Sequence, residues 1–271
     1  MINRTADTYS FIWGSKEGAK SVDKWHFNAM QEVIEESIVR GRLGIEIGSG
    51  CGYDTYIMAK ANPSVRLVSI DVSDGIYETR KRVSALTNVN LVKCSALNVP
   101  IKDEVFDFAY SFGVLHHTND PKKGLLEIAR MLKRDSPVFL YLYEDHSENF
   151  TKAVFIKIVT WLRIITVRLP HRLLYFLSCM ASPIVFIIFT LPAKVMMAFK
   201  PTRHIGENMP FNFGTGPFSL RGDIYDRFGA PVEYRFSRQS ILALFGECGF
   251  SRVRITRLHN TAGWVAWGYK Q

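Results

Sequence analysis

Between Glu148 and Glu207 the chain has no acidic residue, although eight lysines and arginines fall there. The formal net charge of +9 is therefore the property of one segment: elsewhere 26 basic residues face 25 acidic ones. That distribution argues against a basic nucleic-acid groove, so no nucleic-acid partner is expected, and it points to an anionic membrane surface. Paired cysteine spacing is also missing. Cys51, Cys94, Cys179 and Cys248 form no CxxC, and no HxxxH accompanies them, which excludes a zinc site and a disulfide framework and leaves no metal expected in a reducing cytoplasm. The first eighteen residues lack the continuous apolar run of a secretory signal, so the catalytic part is expected to stay inside. No internal repeat is visible.

What is present is apolar side chain, 47% over 271 residues, enough to bury a substantial core. Apolar residues from Val22 to Val39 recur at helical spacing and predict a helix leading into the short buried strand Leu43–Ile47. Strands at 66–70, 90–93, 106–111 and 138–143 alternate with helices at 53–61, 74–86 and 121–132, the last with proline in its first turn. A helix over 237–248, with Ser237 as N-cap, and strands near 252–256 and 264–269 finish the chain. Such alternation predicts an α/β fold, a doubly wound sheet with helices on both faces. The pattern divides the chain into a core at 1–148, an apolar basic insertion and loop at 149–231, and a returning helix and strand pair at 232–271.

Between the first strand and the first core helix lies Gly48-Ser49-Gly50-Cys51-Gly52. Glycines at two-residue spacing allow a tight turn and close approach of backbone to a ligand. Asp71 ends the second strand beside this loop, where it can accept ribose hydroxyls. A dinucleotide fingerprint would place glycine at position 53, where this chain has Tyr53, which makes a nicotinamide-dependent reductase a distant alternative.

From Leu43 to Tyr143 the chain resembles the large class I S-adenosylmethionine-dependent methyltransferase family, in its type 11 domain. The segments that carry the resemblance are IEIGSGCGYDT, SIDVS, KCSALNVPIKDEVFDFAYSFGVLHHTNDP and GLLEIARMLKRDSPVFLYLYE, and the tail RFSRQSILALFGECGFSRVRI is similar to the family's last helix and strand. The resemblance implies a seven-stranded Rossmann-like sheet with an insertion after the fifth strand, and S-adenosylmethionine as cofactor. It implies that Gly48, Gly50 and Gly52 pass close to the methionine moiety and that Asp71 binds the ribose, with Glu46, Ser49 and Val72 also in the cofactor site. Ser95, Ala96 and Leu97 would then frame the adenine, with Ser111, Phe112 and Gly113 under the sulfonium. Ser95 departs from the aspartate usual in the family, and a hydroxyl is a weaker acceptor than a carboxylate.

Methyl transfer needs in-line alignment, exclusion of water and an unprotonated nucleophile, with a base only for a poor acceptor. His116 and His117, after the fourth strand, are the base candidates, and a turn-bracing role is the plain alternative for His117. Glu144, Asp145 and His146 are either acceptor ligands or a solvated loop. Tyr9, Phe11 and Trp13 are either a lid over the cofactor or, as the alternative, an edge strand or ordinary core contact.

Leu173–Ala193 is uncharged over 21 residues, long enough to span a membrane; Pro183 in its middle is tolerated in a membrane helix but equally divides the run into two helices too short to span, and a true span is the less favoured reading. In the preceding stretch Lys152, Lys157, Thr160, Arg163 and Arg168 fall within an arc of about 160°. The segment therefore predicts a membrane-surface cap or a cap over a hydrophobic substrate, the former with attachment to the inner face of a membrane. Cover for the sheet or a homodimer interface is the alternative. The functional expectation is methylation, chiefly at oxygen, of a small or lipid-linked acceptor; the alternative is a catalytically silent scaffold anchored through the insertion.

Overall fold

The computed structural model describes residues 2–14, 33–34, 36–148, 150–257 and 263–271. These form two compact units, residues 1–153 with 231–271, and residues 154–230. The helix expected over 22–39 falls mostly outside the described residues; its end is the short helix α2, Glu36–Val39, after α1, Ile2–Trp13.

In the larger unit seven strands lie in the order β3-β2-β1-β4-β5-β7-β6. They are β1 Leu43–Ile47, β2 Arg66–Asp71, β3 Val89–Lys93, β4 Phe108–Phe112, β5 Pro137–Tyr143, β6 Phe250–Arg257 and β7 Gly263–Lys270. β7 runs antiparallel to both β5 and β6. The helices are α3 Tyr53–Ala61, α4 Gly75–Arg82, α5 Pro121–Met131 and, near the end, Arg238–Glu247. Ser237 caps the last of these by accepting from Ser240 N at 3.1 Å, and Asp120 caps α5 by accepting from Lys123 N at 2.9 Å.

The central strands are buried on both faces, and their two-residue period sorts side chains into two cores. Ile45, Ile47, Leu140 and Leu142 join Leu125 and Ile128 of α5 and Phe245 of the last helix on one face. Phe108, Tyr110, Phe139 and Tyr141 join Met58 of α3 on the other. Chain order reverses between β1 and β4, which opens a crevice at their carboxyl ends, the place where open α/β sheets bind ligands.

Residues 154–230 are helical: α6 Phe150–Thr166, α7 His171–Val185, α8 Leu191–Ala198, α9 Arg203–Asn208 and α10 Arg221–Gly229. One alternative is decided and one expectation overturned here. Pro183 does not divide the apolar run, because α7 and α8 join through a π-helical turn at Phe186–Thr190 into one helix, His171–Ala198. Proline removes only its own N–H, and one widened turn just downstream lets the chain continue. Arg163 does not belong to an exposed basic face either; it is 7% exposed, whereas Lys157 and Arg168 are on the surface.

Candidate active site

The glycine loop leaves β1 and enters α3 under tight control. Gly48 N and Ser49 N donate to the Ile70 carbonyl at 2.8 and 3.0 Å, which ties the loop to β2. Gly48 has φ 89° and Gly52 φ 77°, the left-handed region that a side chain disfavours. Space forbids a side chain as well: a Cβ on Gly48 would stand 2.1 Å from Val114 Cγ2, and one on Gly52 would stand 2.6 Å from Thr79 Cα.

Helix α4 fastens the loop from the other side. Thr79 Oγ1 lies 3.1 Å from both Ser49 Oγ and the Gly50 carbonyl. One turn on, Arg82 Nε donates to the Cys51 carbonyl at 2.9 Å. Neither role is visible in the sequence, since the contacts bridge about thirty residues with no motif of their own.

Asp71 stands at the centre. Its Oδ2 accepts from Gly50 N at 2.7 Å, and its Oδ1 accepts from Ser73 N and Ser73 Oγ at 2.7 and 2.6 Å. Burial pushes its pKa up, against the opposing effects of Ser73, Gly50 and Lys93. A carboxylate offers about four acceptor positions, so the three donors leave one position on Oδ2 that could receive a ribose hydroxyl. Val72 next to it is exposed. Across the crevice Ser111 Oγ donates to the Ile47 carbonyl at 3.0 Å, binding β4 to β1, and Phe112 stacks on Tyr141. A Cβ built on Gly113 would meet nothing within 4 Å. Ser95 Oγ accepts from Leu97 N at 3.2 Å, which shapes the turn Ser95-Ala96-Leu97.

Glu46 sits lower in the sheet, 2% exposed, with Thr55 Oγ1 at 2.5 Å and Ser69 Oγ also donating to it. Burial raises its pKa from 4.5 to about 8. Between those values the folded chain keeps a proton that the unfolded chain has released, so this group lowers stability as pH rises from 4.5 towards 8. Glu46→Gln removes that dependence. In denaturant titrations at about pH 5 and about pH 8, the variant should gain on the parent at the higher pH, and a constant difference would refute the assignment.

Residues Tyr9, Phe11 and Trp13 lie on α1, so the edge-strand alternative is overturned: two-residue aromatic spacing here falls on a helix. Ser10 Oγ accepts from Asp74 N at 2.9 Å. Trp13 approaches both Gly50 and Gly75, whose own Cβ atoms would stand 3.7 and 2.9 Å from it. Tyr9 lies 5.4 Å from the His117 ring. Helix α1 thus touches the glycine loop and the histidine pair together.

His116 and His117 form a 3-10 turn after β4, and both are buried. His116 packs 3.9 Å from Tyr143 between ring centroids and 4.3 Å from His117. Among the described residues its ring nitrogens meet no partner at hydrogen-bond distance. Burial, His117 and Arg235 hold its pKa well below the ordinary histidine value, and the Tyr141 backbone does not offset them. His117 Nδ1 lies 2.8 Å from the Val232 carbonyl. A carbonyl only accepts, so Nδ1 carries the proton and Nε2 is the basic nitrogen of the neutral ring. His117 thus braces the returning chain at Val232.

Glu144, 6% exposed, is paired with Arg257, with His146 Nδ1 3.4 Å away. Arg235 donates to the Glu144 carbonyl at 3.0 Å and lies over the Tyr143 ring. The solvated-loop alternative therefore fails for Glu144, which is engaged in an ion pair; Asp145 N donates to the Phe236 carbonyl at 3.1 Å. Among the described residues no grouping of His, Cys, Asp and Glu would hold a metal ion.

Residues 45–140 match the family described as "Methyltransferase domain". Over those residues, about a third of its length, the chain carries a methyltransferase domain. A solved SAM-dependent methyltransferase from Thermotoga maritima superposes at TM-score 0.51 with 17% identity, over 100% of this chain and 94% of that one. A Saccharomyces cerevisiae tRNA (carboxymethyluridine(34)-5-O)-methyltransferase is 33% identical over 94 residues, 35% of this chain and 32% of that protein. The rice 2-methyl-6-phytyl-1,4-hydroquinone methyltransferase 1 is 28% identical over 111 residues, 40% and 34% of the two chains. The match thus spans about a third of either relative. The seven-stranded sheet is that of the solved Thermotoga maritima methyltransferase, with the helical insertion following β5.

Proposed function

We propose that the chain transfers the methyl group of S-adenosylmethionine to oxygen on a small or lipid-linked acceptor, in the cytoplasm at the inner face of a membrane. The observation that carries the reading is the shared sheet edge: the glycine loop follows β1, Asp71 ends β2, and the histidine pair follows the neighbouring β4. Bound there, the cofactor supplies a methyl group on a positively charged sulfur. Asp71 and the loop amides orient it, and α1 excludes water from the loop. His117 takes the acceptor's proton on Nε2. His116 stays uncharged at neutral pH, so it adds no positive charge beside the sulfonium. The hydroquinone relative supports an oxygen-bearing lipophilic acceptor by its name alone, and the basic apolar insertion supports its delivery at a membrane.

Incubation with methyl-labelled S-adenosylmethionine and with separate lipid and aqueous extracts tests this. Label should enter the lipid fraction, and His117→Gln should lower the rate about a hundredfold, within the usual range for loss of a general base. Absence of cofactor binding by calorimetry would sink the enzymatic reading and leave a scaffold.

A further inference from the structure

Although the unit 154–230 keeps a small apolar cluster of Phe186, Phe211, Leu220 and Ile224, its long helix distributes most of its residues opposite to a water-soluble helix. Along the helix His171–Ala198 the sheltered positions are largely small or hydroxylated: Ser178, Ser182, Thr190 and Ala193 are at most 1% exposed. Their hydroxyls are used within the unit, with Ser182 Oγ donating to the Pro217 carbonyl at 2.7 Å and Thr190 Oγ1 to the Phe211 carbonyl at 2.6 Å. Helix α10 packs along α7, and its Tyr225 hydroxyl is 2.9 Å from His171 Nδ1. The outward face instead carries Phe176, Met180, Ile184, Ile187, Leu191 and Val195, 44% to 61% exposed. A surface helix in water buries its large apolar residues and exposes its polar ones.

Charge follows the same geometry. No ionised side chain falls between Leu173 and Ala193, while Arg168 and Arg172 stand before the run and Lys194 and Lys200 after it, all exposed. No carboxylate lies between Glu148 and Glu207 to pair with them. A two-fold copy seated on this face would bring basic ends to basic ends. Anionic lipid offers the complementary charge, and long basic side chains can reach phosphates from a helix sunk below them.

We propose that the helix His171–Ala198 lies in the plane of an anionic bilayer, its outward face among the acyl chains of one leaflet and its basic ends at the phosphates. The proposal rests on the membrane-surface reading of the unit and makes attachment a matter of insertion rather than of charge alone. At 1.5 Å per residue the uncharged run is about 30 Å long, enough to cross a bilayer. Crossing would carry α10, with Arg221, Asp223, Asp226 and Arg227, into hydrocarbon along the sheltered face. An in-plane helix leaves α10 on the water side.

The test is flotation of the purified full chain with vesicles of phosphatidylcholine and phosphatidylglycerol in equal parts, followed by washes in roughly 1 M salt, where screening acts within about 3 Å, and in alkaline carbonate. The chain should stay with the vesicles through both washes and leave only in detergent. Ile184→Asp with Ile187→Asp, at exposed positions and with circular dichroism unchanged, should cut the floated fraction at least tenfold. Release by salt alone would overturn insertion while leaving surface attachment in place. Failure to float would overturn both, and a dimer in detergent-free solution without flotation would give the face to a second copy of the chain.

Discussion

Replacing Asp71 by alanine should lower S-adenosylmethionine affinity about a hundredfold or more, measured by calorimetry, because hydrogen bonds to a charged group contribute roughly 1.5–3 kcal/mol each. The variant loses more than the ribose contact. Gly50 N, Ser73 N and Ser73 Oγ all donate to this carboxylate, so the loop amide and the start of the next segment lose their common acceptor. Asp71→Asn keeps the shape and one carbonyl acceptor but gives up the charge, and should lie between parent and alanine variant. An alanine variant that binds the cofactor as the parent does would remove Asp71 from the site and leave it a loop brace.

Replacing Gly52 by alanine should destabilise the larger unit by about 3 kcal/mol, combining a left-handed backbone penalty of roughly 1–2 kcal/mol with overpacking. The new Cβ would lie 2.6 Å from Thr79 Cα, and backbone cannot step aside as a side-chain end can. For a chain of this size, about 2–4 °C per kcal/mol gives a fall in Tm of roughly 6–12 °C. Cofactor affinity should fall in parallel, since moving Thr79 loosens Ser49 and Gly50. Gly246→Ala is the control: it lies on the last helix with open space at its Cβ, and alanine there should be neutral or stabilising by up to about 1 kcal/mol. Equal melting of the Gly52 variant and the parent would show that α3 and α4 separate without cost.

The sheet and its loop were legible because their signals are local. Leu43–Ile47 ends directly in the glycine run, and Asp71 closes the next strand, so strand, turn and acceptor follow each other within thirty residues. The contacts that hold the site were not legible, because they join distant segments. Thr79 reaches Ser49, Val232 meets His117, and Arg235 covers Tyr143, and each residue is unremarkable where it stands in the chain. Aromatic residues at 9, 11 and 13 suggest strand periodicity as readily as helix, and only packing of α1 against α4 decides. Pro183 suggests a break because single-residue propensity is blind to the widened turn that follows it. Arg163 shares its helical arc with apolar neighbours, so wheel geometry alone cannot tell that it is sheltered.

The chain leaves the larger unit just after β5 and re-enters it just before the last helix. Those two points are stitched side by side: Phe236 N donates to the Tyr143 carbonyl at 2.8 Å, and Asp145 N returns a bond to the Phe236 carbonyl at 3.1 Å. Departure and return therefore form a closed gate in the backbone, fixed by the core's own ladder. Because loop length adds closure entropy only slowly, a segment spliced in at such a gate can lengthen, shorten or be exchanged for another without moving the register of β5 against β7. The gate makes the chemistry of the sheet edge and the destination of the helical segment separately adjustable, two characters that substitutions can vary one at a time.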